Sequence, residues 1–229
     1  MNKDILKYRI QNEAFWHGVA AAMVADDDIS DDEITLLGGL LAEHTPNMYP
    51  LADMKKLLEE IAGKRGASVT DRRRILGMLK SICDNLTPAE KGYLFESYVV
   101  ECFDRSDYDL IEWRSDKYAR GWRPRSSQWP DILMESRKNP MDRVAIECKY
   151  RSKAVNGGVR LAYEDQLRRY QAYGRKEKIA VYLALGFGGE PTAPADFYLA
   201  SVRDLRNGTM TLRGLEKYRM VGQEIIIAP

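Results

Sequence analysis

Apolar and polar positions alternate along this chain with two different periods, and the changes of period mark out its elements. In Arg143-Val144-Ala145-Ile146-Glu147-Cys148-Lys149-Tyr150 the period is that of a strand, with Ile146 and Cys148 on one face and Glu147 and Lys149 on the other. Residues 129–136 read as a second strand. The polar turn Arg137-Lys138-Asn139-Pro140-Met141-Asp142 joins the two as a hairpin, which sets Asp131 beside Glu147 across the ladder. Before the hairpin, Leu94, Phe95, Tyr98, Val99, Cys102 and Phe103 recur at helical spacing. After it, residues 163–173 read as another helix with Gln166, Tyr170 and Tyr173 on one face. The unbroken apolar run Ile179–Leu185 then reads as a buried strand.

The first 85 residues show only helical patterns. Phe15–Val24 is an apolar helix, and Ser30 or Asp31 caps a second one, with Glu33 at the capping-box position for Ser30 and Ile34, Leu37, Leu40 and Leu41 as its apolar side. Val69-Thr70-Asp71 ahead of Ile75, Leu76 and Leu79 echoes Ile29-Ser30-Asp31 ahead of Ile34, Leu36 and Leu40, which suggests a weak internal duplication. The acidic run Asp26–Ile34 does not make an EF-hand. A loop starting at Asp26 would put Asp31 where glycine is needed and Leu37 where the closing carboxylate belongs.

Charge separates the same two regions. Residues 1–90 carry 11 Lys plus Arg against 15 Asp plus Glu, a net of −4, and residues 91–229 carry 24 against 19, a net of +5. With the turn Asp84-Asn85-Leu86-Thr87-Pro88, this places a boundary near residue 87: a small all-α domain at 1–87 and an α/β domain at 88–229. Arg114, Lys117, Arg120, Arg123 and Arg125 fall in an irregular segment with Trp113, Tyr118, Trp122 and Trp129. Arginines contact phosphates and aromatic rings stack on unpaired bases, so Arg120, Arg123 and Arg125 are candidate nucleic-acid contacts. The three cysteines, Cys83, Cys102 and Cys148, sit widely spaced in apolar patterns and read as buried thiols. His17 and His44 have no ligand-like neighbours at short spacing. No stretch approaches the roughly 20 apolar residues of a membrane span. The N-terminus lacks a signal peptide's charged-then-apolar order, so the expectation is a cytoplasmic protein with no membrane part.

Asp131 after Trp129-Pro130, and Glu147-Cys148-Lys149 on the next strand, would bring two carboxylates and an ammonium together. Oxygen ligands of this kind suit Mg²⁺, which takes one or two carboxylates and keeps room for water and phosphate oxygens. These segments, Glu96 on the preceding helix and Gln166 with Tyr170 on the following one, resemble the PD-(D/E)xK nuclease superfamily over roughly residues 90–187. Gln166 and Tyr170 look like the QxxxY element of its RecB-type branch. The Asp26–Ile34 segment resembles, more loosely, the acidic turn of TerB-like helical domains.

The resemblance implies a restriction-endonuclease-like αβββαβ core and metal-assisted hydrolysis of DNA leaving 5′-phosphate ends. Asp131, Glu147 and the Cys148 carbonyl would hold Mg²⁺, with Mn²⁺ able to substitute and Glu96 binding directly or through water. Lys149 would orient or deprotonate water, or neutralise the oxyanion, with Gln166 and Tyr170 in support. Two other readings stay open: a binding module that has lost catalysis and recruits a protein partner through the helical domain, and a dimeric Holliday-junction resolvase.

Overall fold

Thr87 and Pro88 start the helix that leads into the sheet. The Glu90 amide donates to the Thr87 hydroxyl at 3.2 Å while the Thr87 amide donates back to the Glu90 carboxylate at 2.9 Å, a reciprocal capping box. Pro88 takes the first helical position, where a missing N–H is no loss. Along the chain this is helix α2 (Pro88–Glu101), after α1 (Pro50–Gly63). The computed structural model describes residues 30, 32, 36, 50–63, 75, 85–114, 128–222, 224 and 225. The chain divides into two compact units, with the change between Tyr93 and Leu94.

In the first unit the described residues are helical except Ser30, Leu86 and Thr87. Leu58 and Ile61, three apart on α1, are buried, as is Ile75. Lys55 is buried too, and its ammonium pairs with Glu59 one turn on. The expected helix at 15–24, the cap at Asp31 with Glu33, Cys83 and both histidines lie outside the described residues, as do the acidic run apart from Ser30 and Asp32 and the internal echo apart from Ser30, Leu36 and Ile75.

The second unit is built on a five-stranded mixed sheet in the order β1 (Tyr108–Trp113), β2 (Ile132–Ser136), β3 (Arg143–Arg151), β5 (Ala180–Glu190), β6 (Ala193–Ser201). β2 and β3 form the expected antiparallel hairpin, with Ile132 opposite Ile146. Its turn is closed by the Ser136 amide on the Asp142 carbonyl at 2.9 Å. β3 and β5 are parallel, which requires a crossover, and helix α3 (Glu164–Glu177) supplies it. The short strands β4 (Gly158–Arg160) and β7 (Thr209–Thr211) pair separately, and a single helical turn, α4 (Leu212–Leu215), follows.

Both faces of the sheet are covered, so its central strand is apolar in both directions. Val144, Ile146 and Cys148 of β3 pack with Phe95, Val99 and Phe103 from α2 and its C-terminal end. Ala145, between them, faces Leu167, Tyr170 and Tyr173 of α3. Gly186 on β5 admits the Phe95 ring, since a Cβ there would lie 2.5 Å from Phe95 Cε2. The run α2–β1–β2–β3–α3–β5 makes the fold class mixed α/β, compatible with a restriction-endonuclease-like core.

Two expectations change. Trp113 does not belong to an irregular segment; it ends strand β1. The period of two fails there because the register with β2 slips between Leu110 and Glu112, a bulge on an edge strand. The sheet also extends past β5 by the edge strand β6, whose Pro194 obscures its strand character in sequence.

Candidate active site

Asp131 is placed by backbone on both sides. The Arg114 amide donates to its carbonyl at 2.6 Å, carrying the β1–β2 ladder one step past Trp113. Across the hairpin, the Cys148 amide donates to Asp131 Oδ2 at 2.9 Å. Continuing the β2–β3 register by one residue sets Asp131 next to Glu147. The two carboxylates are 1 % and 0 % exposed. Lys149, two residues on and therefore on the same face as Glu147, places its ammonium on Glu147 Oε1.

Tyr170 reaches this pair from α3. Its phenol hydrogen-bonds Glu147, and burial first, then the Glu147 and Asp131 charges, push its pKa far above the ordinary tyrosine range. It is a neutral hydrogen-bond donor at any physiological pH. Glu96 belongs to the opposite layer and is 8 % exposed; its Oε2 accepts from the indole N–H of Trp113 at 2.7 Å. The Cys148 thiol lies within the influence of Asp131, Glu96, Glu147 and Lys149. Burial raises its pKa, the Asp131, Glu96 and Glu147 charges raise it further, and Lys149 opposes them. The structure thus brings together Asp131, Glu147, Cys148, Lys149 and Tyr170, with Glu96 near enough across the sheet to act on Cys148.

Gln166 is used differently. Its Oε1 accepts from the Tyr163 amide at 3.1 Å and so satisfies one of the donors left open at the start of α3. Tyr173 packs on Trp129 with ring centroids 5.5 Å apart. Arg120, Arg123 and Arg125 lie outside the described residues.

Arg114, the first arginine of the same arginine-rich segment, is buried, with 4 % exposure, rather than presented to solvent. Its Nε donates to Glu112 at 2.6 Å, Nη1 to the Pro130 carbonyl at 2.8 Å and Nη2 to the Tyr173 hydroxyl at 3.2 Å. The guanidinium also lies 5.4 Å from the centroid of Trp129 and 5.6 Å from that of Tyr173. It therefore clamps the backbone just ahead of Asp131. No local pattern signals this, since Pro130 and Tyr173 stand 16 and 59 positions away.

Among the described residues no group of three or more His, Cys, Asp or Glu forms a ready-made cation cage. The donor chemistry nonetheless fits a hard divalent cation. Asp131 and Glu147 put carboxylate oxygens beside the Cys148 backbone, with Lys149 on Glu147. Carboxylate and carbonyl oxygens are the donors a hard cation takes, and Mg²⁺ needs only one or two carboxylates.

No family model matches the chain, and no curated protein does either. Among solved structures it is similar to Archaeoglobus fulgidus Hjc, a Holliday junction resolvase from an archaeal hyperthermophile. The TM-score is 0.39 and the identity 17%, over 57% of this chain and 90% of that one. A likeness of that size carries no functional argument. Among the described residues no helix is long and apolar enough to cross a membrane.

Proposed function

We propose that the chain is a metal-dependent deoxyribonuclease of the PD-(D/E)xK kind, with residues 88–229 as the nuclease domain and 1–87 as an accessory helical domain. The observation that carries the reading is the meeting of two almost inaccessible carboxylates, Asp131 and Glu147, with the Lys149 ammonium at the end of one hairpin. Such a cluster is costly to bury and finds its use in chemistry.

Asp131, Glu147 and the Cys148 carbonyl are the groups that would hold Mg²⁺ or Mn²⁺, with Glu96 beside them. The cation supplies Lewis-acid polarisation of the phosphodiester and of water. Lys149, steered by Glu147, offers its N–H groups to the charge that develops on the phosphoryl oxygens. Tyr170 stays protonated and fixes the orientation of the Glu147 carboxylate. Gln166 acts at one remove, by capping the helix that presents Tyr170.

The purified chain, incubated with labelled single-stranded, duplex and branched DNA, is expected to cut in Mg²⁺ or Mn²⁺, to leave 5′-phosphates and to be silent in EDTA. Failure on all three substrates with either metal would remove the hydrolase reading. A chain beginning at Thr87 retains the capping box of α2 and is expected to fold and cut as well. A folded but inactive fragment would assign the first unit to the active site.

A further inference from the structure

Three cations at and after the end of β3, Arg151, Lys153 and Arg160, have no acidic partner among the described residues. By strand period Arg151 lies on the face of Glu147 and Lys149, roughly 7 Å beyond Lys149. The chain then turns back through Val155-Asn156-Gly157-Gly158. Asn156 and Gly157 have φ of 51° and 73°, and the Val155 amide donates to the Gly158 carbonyl at 2.9 Å with the reverse bond at 3.0 Å. This is the two-residue hairpin that Asn-Gly favours, and it turns the chain back into β4, whose ladder partner is β7.

The turn brings Arg151 to Arg160. Arg151 Nε donates to the Arg160 carbonyl at 3.2 Å and Nη1 to the Tyr150 carbonyl at 2.8 Å. Arg160 lies 4.9 Å over the Tyr163 ring and donates to its hydroxyl at 3.1 Å. Lys153, on the same turn, is exposed. Among the described residues no carboxylate pairs with Arg151, Lys153 or Arg160. The nearby acids of α3, Glu164 and Asp165, pair with Arg168 and Arg169 of their own helix. Burial and the Arg160 charge both pull the Arg151 pKa down from its ordinary value. Like charges held together without a counter-ion are unfavourable until an anion arrives.

We propose that Arg151, Lys153 and Arg160 bind the backbone phosphate next to the one held at Lys149, so that the substrate is a polynucleotide strand running over the β3–β4 turn. The proposal rests on the nuclease reading and adds a substrate-binding site to it. It also sets the substrate class, because a phosphodiester without a neighbouring phosphate would leave these cations idle.

Binding of a fluorescein-labelled 20-nucleotide single strand to the full chain, in EDTA and over a range of salt, reads the cluster without hydrolysis. Arg160→Ala and Lys153→Ala are exposed changes, and each is expected to flatten the slope of log affinity against log salt by about 1, the pair weakening binding roughly tenfold or more near 0.1 M salt. Lys138→Ala, at the far turn, controls for loss of any surface cation and should leave the slope unchanged. A double variant with the wild-type slope, or a wild type that binds no strand, overturns the proposal. So does displacement of the strand by micromolar adenosine monophosphate or inorganic phosphate that disappears in Arg160→Ala, which would assign the cluster to a small phosphorylated molecule. Metal-dependent cleavage of the same strand is scored separately. Cleavage without a slope change removes the cluster and keeps the nuclease; a slope change without cleavage does the reverse.

Discussion

Asp131→Ala and Glu147→Ala are each expected to reduce DNA cleavage to background and to weaken metal binding, whereas Lys149→Ala is expected to bind metal and DNA and to cut at least about 100-fold more slowly. The two carboxylates are the hard oxygen donors of the cluster, and each is so buried that no other acid can swing into its place. Lysine supplies no such donor. Its loss removes one aimed positive group, and about 100-fold corresponds to roughly 3 kcal/mol of transition-state stabilisation, the size expected of a single electrostatic contact in a dry site. Gln166→Ala costs less than Lys149→Ala, because that side chain caps α3 and does not reach the reacting groups directly. Single-turnover cleavage and metal titration separate the four variants. Lys149→Ala cutting at the wild-type rate with wild-type metal affinity would move the active site elsewhere.

The hairpin, the two flanking helices and the β5 strand are legible in sequence because each keeps one period throughout. β3 alternates cleanly over Ile146–Lys149, and α3 repeats its aromatic face at spacings of four and three. β1 is not legible, since its bulge leaves Ile111 out of register and brings Asp109 and Glu112, three apart in sequence, onto one face, which breaks the period of two. The cap of α3 is hidden for a different reason. Tyr163 stands where Ser, Thr, Asp or Asn would announce a helix start, so the sequence shows no cap and Gln166 reads as part of an aromatic face. The grouping of Asp131 with Glu147 follows from strand period and turn length, both local. The grouping of Arg114 with Pro130 and Tyr173 depends on the packing of three separate elements, and no spacing encodes it.

Arg114→Ala is therefore the substitution that most directly tests how the site is supported. It removes a buried guanidinium from Glu112, the Pro130 carbonyl and the Tyr173 hydroxyl at once. Glu112 is about a quarter exposed (26%) and rehydrates, but the other two acceptors lie in the interior. The low end of the range for breaking a buried charged network applies, about 3 kcal/mol, which lowers the melting temperature of this unit by roughly 6–12 °C. Arg114→Lys recovers little of the loss, because a point charge cannot reproduce the planar fork or the stacking on Trp129. The effect on the site differs in kind from that of removing Asp131. Slack in the Pro130 backbone displaces a ligand that is still present, and a misplacement near 1 Å costs on the order of 100-fold in rate. Below its melting temperature Arg114→Ala is expected to bind metal with a raised midpoint and to regain activity as metal is increased, where Asp131→Ala does not. A melting temperature within about one degree of wild type together with an unshifted metal midpoint would show that Arg114 supports neither the fold nor Asp131.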